Sequence, residues 1–520
     1  MATTPAQPMT AAAAEEKAKL QKHFTRFDIY FFLICTLVGV DTLGQVASYG
    51  AQGFTWLIFL AIFFFVPYAL LTAELGAAFT DEGGAYVWTR LAWGRFVAAI
   101  NAVFYWFSNP IWIGATLALL TIATVKSFFV SFSDGSVWYY AIGLGYIWFS
   151  VYSAILSFGI GKWIPTIGAW CRMFVLGLFT LTAIIYAFKN GLSFPSGGEF
   201  KPSYAIFIGL VPVLFFNYVG FELPSAAGDE MEDAQKDVPV TVIRAMFTAV
   251  IMYGVPILAI IAVLPKDRIS GVSGFMDAVA ATFSVYGGAA SVITKVAAVG
   301  FILALVSSAC TWLMGSDRSQ AVACYDGAGP RILGTFSAKL GTPINVNFLS
   351  GVLSTIVFVV ASQLTSGNAG ATFSIMIGVV LTFTTISYIA IFPTLIKLRY
   401  SHSGVERPYR VPGGMAGVWI CGTLTTAWAV FASLVAIFPG FADGQLLNNG
   451  DLPTWSDDKG VEHVISRLKF ETISLTAIGV TLLAGVAFYM LGKPTRERLA
   501  APSSAAYADL GEAHSAPIGD

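Results

Sequence analysis

Apolar residues in this chain gather into long runs rather than into the alternation or stripes of a soluble core. With about 20 apolar residues taken as one bilayer crossing, the runs predict twelve spanning helices. They lie near 27–50, 54–78, 94–125, 137–157, 162–189, 204–228, 240–264, 287–314, 347–365, 371–398, 415–438 and 471–492. The expected fold class is therefore an all-α integral membrane protein. Two runs hold residues that a plain lipid-facing helix excludes. The sixth reads Phe215, Phe216, Asn217, Tyr218, Val219, Gly220, Phe221, Glu222, Leu223 and Pro224, and the first carries Gly39, Val40, Asp41, Thr42, Leu43 and Gly44. Glycine and proline free main-chain groups from the helical ladder, and at membrane depth such groups survive only where protein or a water-filled cavity satisfies them. Both helices are predicted to break at mid-span. Asp41 and Glu222, ionisable at that depth, are functional-site candidates.

Composition narrows the function. Of 520 residues, 56% are hydrophobic and 11% charged, where a soluble domain carries about 25% charged residues. The net charge of −1 offers no basic surface, so nucleic acid is not an expected partner. Cys35, Cys171, Cys310, Cys324 and Cys421 fall in or beside apolar runs without paired spacing, and read as small hydrophobes rather than disulfides or metal ligands. His23, His402, His463 and His514 all lie outside the predicted helices. Neither a metal cluster, a nucleophile with its base, nor a phosphate-binding loop is visible, so no metal, cofactor or catalytic residue is expected. An enzyme or a nucleotide-driven pump is disfavoured. Residues 1–26 lack the pattern of a secretory signal. With an even number of spans both termini share a side, and Lys and Arg concentrate on that side, which predicts cytoplasmic termini and a multi-pass protein of the cell membrane. The tails, 1–26 and 493–520, are expected to be disordered. The longest connection, 440–469, holds Asp443, Asp451, Asp457, Asp458 and Glu462 and reads as a solvated outer loop.

Four segments carry a family resemblance. Tyr218, Gly220, Phe221 and Glu222, followed by Asp229 and Glu230 and closed by Lys236, Asp237 and Pro239, resemble the sixth-helix signature of the amino acid, polyamine and organocation (APC) transporters. Glu74, Gly76, Asp81, Glu82, Gly83, Gly84 and Tyr86 resemble the loop after helix two. Asp326, Gly327 and Pro330 through Gly341, Thr342 and Pro343 resemble the loop after helix eight. Arg407, Pro408, Tyr409, Arg410, Val411, Pro412 and Gly413 resemble the one after helix ten. The resemblance spans about 25–440. It implies a LeuT-like fold with a transporter core, 27–400, of two inverted five-helix repeats (27–189 and 204–400), and helices eleven and twelve in 401–492. Gly39 and Gly220 are separated by the same stretch of chain as Asp41 and Glu222, as expected of paired breaks in corresponding halves of such a transporter.

The resemblance also implies a site. Substrate would lie between Gly39, Val40, Asp41 and Thr42 on helix one and Phe216, Tyr218, Val219, Gly220 and Glu222 on helix six, with Phe216 and Tyr218 as aromatic gates. Members of the family usually have Gly, Ser, Gly where this chain has Gly39, Val40, Asp41, and dock the substrate's carboxylate on those amides. Asp41 would repel a carboxylate, so either the substrate presents a cationic amine or Asp41 is protonated when an amino acid binds. Trp312 is spaced from Gly327 like a tryptophan that stacks on a cationic head in arginine/agmatine exchangers; plain packing is its other reading. Glu222 stands where relatives place a proton-coupling carboxylate, with Arg172 as its expected partner. Arg172 occupies a position where a lysine often replaces a sodium ion between helices one, five and eight; arginine keeps the charge but does not release a proton near neutral pH. Ser307 and Ser308 occupy the place of hydroxyls that line a sodium site, with protons ranked ahead of sodium. The implied function is a secondary transporter moving amino acids or related amines by alternating access, coupled to protons or working by exchange. A polyamine or organic-amine carrier, or a sensor without net flux, is the alternative. The partners implied are the substrate, a proton or exchanged solute, and the bilayer.

Overall fold

Thr25 starts the first helix with a capping box: its side chain accepts from the Asp28 N–H, and the Asp28 carboxylate takes the Thr25 N–H at 3.0 Å. That helix, α1 (Arg26–Leu37), stops where the glycine-bracketed stretch begins, and α2 (Leu43–Ser48) resumes beyond it. The computed structural model describes residues 22–156, 162–192, 194–264, 274–364, 369–441, 451–456 and 462–500. In order follow α3 (Ala51–Ala78), α4 (Ala85–Trp93), α5 (Arg95–Phe128), α6 (Val137–Ile155), α7 (Trp163–Asn190) and α8 (Tyr204–Asn217). After a 3₁₀ segment, Leu223–Glu230, come α9 (Ala234–Val263), α10 (Gly274–Phe283), α11 (Ala290–Ala323), α12 (Ile344–Leu364), α13 (Ala369–Ile391), α14 (Thr394–Ser401), α15 (Gly414–Ile437), α16 (Arg467–Leu491) and α17 (Lys493–Ala500). Among the described residues nine helical stretches are long and apolar enough to cross a membrane. Phe174, Phe188, Ile251, Val292 and Leu483 point outward from the bundle, a surface suited to lipid and costly in water.

Inside, α1 packs on α7, α9 and α11, so the first break is enclosed by three long helices. Pro110 interrupts the ladder of α5, and a π-helical turn at Ile113–Leu117 follows it, the usual response to a missing backbone donor. Small residues set the closest approaches. A Cβ on Gly44 would come within 2.6 Å of the Phe275 nitrogen, so α2 can lie against α10 only as glycine.

The end of the bundle where Phe24 and Arg318 lie is tied by hydrogen bonds and ion pairs. The His23 and Phe24 N–H groups donate to the Glu230 carbonyl, Phe24 pairs with Met231 as an isolated parallel bridge, and Arg496 donates to the Gly327 carbonyl at 2.5 Å. Arg318 Nη1 donates to Glu82 (2.9 Å) and Glu230 (2.5 Å), all three buried. Asp326 takes Arg90, Arg95 and the Tyr86 hydroxyl; Glu74 takes Arg399, Arg407 and the Val411 N–H. The loop residues that carried the family resemblance are therefore structural elbows.

The structure departs from sequence expectation at four places. Residues 22–26, expected in a disordered tail, cap and anchor α1, and 493–500 form α17. Helix α10, an apolar run of ten residues, is too short to register as a span. Helix α11 continues to Ala323, beyond the expected end at 314, because its polar residues find buried partners. The long connection before α16 contains an antiparallel hairpin, β1 (Asp451–Ser456) and β2 (Glu462–Ser466), with Leu452 opposite Ile465. Asp443, Asp457 and Asp458 lie outside the described residues.

Burial pushes the Glu82 carboxyl well above the ordinary glutamate range against the pull of Arg318, and Glu230 and Asp229 push it further up. A carboxyl whose pKa is higher folded than unfolded contributes stability that is complete in acid and is lost as pH rises through the folded value. The melting temperature of the detergent-purified protein should fall with rising pH above the ordinary glutamate range, and Glu82→Gln should flatten that slope. An unchanged slope in the variant would show that Glu82 does not titrate with unfolding.

Candidate functional site

Where α1 ends, main-chain groups lose their helical partners, and side chains from three neighbouring helices take them up. Arg172 Nε on α7 donates to the Val38 carbonyl at 2.8 Å, and the Gly39 N–H donates to the Tyr253 hydroxyl on α9 at 2.7 Å. From α11, Ser308 donates to the Cys35 carbonyl and the Trp312 indole to the Thr36 carbonyl, both at 3.4 Å. A Cβ on Gly39 would meet Asp41 Oδ1 at 2.7 Å and the Tyr253 hydroxyl at 3.3 Å, so any side chain there would push the Asp41 carboxylate aside.

These residues enclose a cavity lined by Thr36, Gly39, Asp41, Trp112, Phe216, Asn217, Tyr253, Ser308 and Trp312. About 10 Å³ of it is accessible to solvent, room for about one water. Asp41 is 7% exposed, and its Oδ2 accepts from the Trp112 indole at 3.1 Å. Trp112 meets Phe216 edge to face at 5.7 Å and Trp312 at 6.1 Å. The result is a carboxylate at one wall of an aromatic box, a setting that favours a cationic guest by charge and by the ring faces. Asn217, the last residue of α8, is buried, and neither its Oδ1 nor its Nδ2 has a hydrogen-bond partner.

The second break begins at Tyr218. Gly220 has a φ of +126°, and the Gly220 and Phe221 N–H groups both donate to the Tyr68 hydroxyl at 3.1 Å. Tyr68 in turn donates to Glu222, which also accepts from Tyr105 and Tyr388 at 2.6 Å each. Glu222 thus sits in a cage of three phenols from α3, α5 and α13.

Of the residues expected to touch substrate, the structure places Gly39, Asp41, Phe216 and Trp312 on the cavity, and Ser308 from the expected ion set joins them. Six others are absent from its wall. Tyr218 turns away: its hydroxyl donates to the Leu57 carbonyl and its ring stacks on Phe65 at 4.5 Å. Val40, Thr42 and Val219 are buried in packing, and Gly220 lies behind Trp312. Glu222 belongs to its tyrosine cage and does not pair with Arg172. The Arg172 guanidinium, fully buried, donates instead to Ser307 Oγ and the Ala304 carbonyl at 2.7 Å, to Cys35 Sγ at 3.0 Å and to Ser308 Oγ. All its hydrogen-bond partners are neutral, and it cross-links α1, α7 and α11 in the manner of a coordinated cation.

Sequence reading assigned no role to Thr36, Trp112, Asn217 or Tyr253, nor to the phenols around Glu222. Two had a usable signal. Trp112 follows Asn109 and Pro110 in mid-span, and Asn217 is a polar side chain one residue before the break. Among the described residues no cluster of His, Cys, Asp and Glu could hold a metal ion.

The family model described as amino acid permease matches residues 24–454. A probable agmatine/putrescine antiporter of Lactococcus lactis is 27% identical over 399 residues, covering 76% of this chain and 83% of its own. A glutamate/gamma-aminobutyrate antiporter from the same species is 22% identical, covering 80% and 84%. An uncharacterized transporter of Legionella pneumophila is 27% identical, covering 79% and 89%. Among solved structures, a manganese transporter of Eremococcus coleocola has the same fold with a TM-score of 0.57 at 11% identity, covering 96% of this chain and 98% of that one.

Replacing Arg172 by Met should leave the Val38 carbonyl buried without its donor, at about 1–3 kcal/mol. The variant should melt several degrees lower in detergent and lose transport, while Arg172→Lys, which keeps a charge and fewer donors, should fall between. A Met variant as stable and active as the wild type would show that the guanidinium is not what holds the break.

Proposed function

The chain belongs to the amino acid permease family and is a secondary transporter of amino acids or amines rather than an enzyme; within that class we propose a carrier of small cationic amines that works by exchange. The observation that carries this reading is Asp41, a carboxylate on the wall of a closed aromatic cavity, at the point where related sites offer backbone amides to a carboxylate. A cationic head satisfies Asp41 and gains the faces of Trp112 and Trp312; a carboxylate gains neither. Exchange is favoured by relatives whose names describe antiporters, one of them for agmatine and putrescine.

The full architecture belongs to the same proposal: twelve spans, two inverted five-helix repeats within 27–400, two further helices in 401–492, both termini cytoplasmic and a place in the cell membrane. Access would alternate about the two breaks. Arg172, held by Ser307 and Ser308, occupies the position of a coupling ion, so sodium has no place in the cycle. Glu222, facing three hydroxyl donors, is the carboxylate through which protons would act.

Reconstituted in liposomes and offered a panel of labelled amines and amino acids, the protein should take up amines in counterflow. Asp41→Asn should lower amine uptake by about tenfold or more, from the loss of a charge-assisted hydrogen bond, and spare any zwitterion that is carried. The reverse pattern would assign Asp41 wrongly. Replacing sodium by potassium on both sides should leave the rate unchanged; a sodium requirement would remove Arg172 from the ion position.

A further inference from the structure

Asn217 is the one cavity-lining side chain whose polar atoms the protein leaves unanswered. The others are engaged: Asp41 accepts from Trp112, Tyr253 accepts from Gly39, Trp312 donates to the Thr36 carbonyl and Ser308 is held by Arg172. Asn217 is 3% exposed, and its amide oxygen and nitrogen are both without a partner. A buried carboxamide carries one acceptor and two donors whose desolvation is costly when they stay unmade. Asn217 lines the cavity together with Gly39 and Asp41 of the α1 break, so a group bound there is placed to answer it.

What answers it is decided by hydrogen-bond type. A second ammonium only donates, so it satisfies Oδ1 and strands Nδ2. A carboxylate only accepts, which strands Oδ1 and sets a negative charge in the same small box as Asp41. A methyl group strands both. A neutral group that donates and accepts, a hydroxyl or a carboxamide, answers both atoms. We propose that Asn217 is the specificity-determining residue, selecting short primary amines whose far end bears a hydroxyl or carboxamide, with the ammonium on Asp41. The inference rests on the amine reading above and adds the identity of the second group. Asp41 and Asn217 line the same small cavity, so the chain between the two groups is short.

The test is a competition series in liposomes of phosphatidylcholine and phosphatidylglycerol, using the full-length protein and labelled ethanolamine. Unlabelled glycinamide should compete as well as ethanolamine itself. n-Propylamine, which replaces the hydroxyl by a methyl, and 1,3-diaminopropane should compete about tenfold or more weakly, because a site built to hydrogen-bond a group rejects the analogue lacking it. Asn217→Leu should collapse the ethanolamine-to-propylamine preference by about the same factor. That preference is a ratio within one preparation, so partial misfolding lowers both rates and leaves it intact; should the variant give no uptake, the wild-type series decides. The inference is overturned if wild type treats ethanolamine and propylamine alike, or if Asn217→Leu keeps the preference; amine uptake that still depends on Asp41 then leaves the amine reading standing. Wild-type uptake of zwitterions but of no amine would fell that reading and this inference with it.

Discussion

Main chain that leaves the helix at membrane depth must be satisfied by protein, since lipid offers nothing to bond with, and this constraint accounts for most of the interior. At the first break the work is divided among Arg172, Tyr253, Ser308 and Trp312; at the second, Tyr68 alone takes two successive N–H groups. Each of these side chains comes from a helix distant in sequence. The breaks are therefore not local features. They exist because α3, α7, α9 and α11 converge on them, and loss of one such side chain leaves a carbonyl without its donor or an N–H without its acceptor.

The same constraint separates the two carboxylates that looked equivalent in the sequence. Glu222 shares Tyr68 with the backbone of its own break, so its oxygen atoms are committed to the scaffold and to Tyr105 and Tyr388. Asp41 has one side-chain donor, Trp112, and faces the cavity. A group with unspent acceptor capacity beside a space is suited to a ligand; a saturated one is suited to sensing or holding a proton. Arg172 follows the same logic. With five neutral hydrogen-bond partners it pairs directly with no carboxylate, and it ties α1, α7 and α11 together.

How far the sequence reaches follows from what is local. Glycine, proline or a carboxylate inside an apolar run is visible in one dimension, so both breaks could be located from Gly39 to Gly44 and from Gly220 to Pro224. Which side chains then face the cavity could not. Phe216 and Tyr218 differ in outcome because α8 ends at Asn217, after which the 100° rotation per residue that links spacing to direction no longer applies. Trp112 and Tyr253 arrive from other helices, and the phenols around Glu222 are spread from Tyr68 to Tyr388; no spacing within one segment points to them. Helix α10 was missed for a simpler reason: at ten residues it satisfies length criteria for neither a span nor a clear loop.

Cavity and charged end are linked by two stiff segments that begin at the site and finish at the Arg318 cluster. Helix α11 carries Trp312 on the cavity and Arg318 within the ion pairs, while the chain from Gly220 through Leu223–Glu230 carries the second break and ends on Glu230. The segments interlock midway, with the Leu223 side chain filling the notch that Gly315 leaves open. Sliding one past the other at the cavity thus strains Arg318 against Glu230. Removing one partner of such a buried group is expensive, about 3–5 kcal/mol, because a charge stays dry and unpaired; opening the whole end to water hydrates all three groups together and avoids that cost. Small displacements at the site are therefore opposed by the ion pairs. A solute shifts the balance between closed and open only by the difference in its affinity for the two, so on the proposed carrier reading one solute is told from another by contacts at the cavity rather than by the ion pairs themselves.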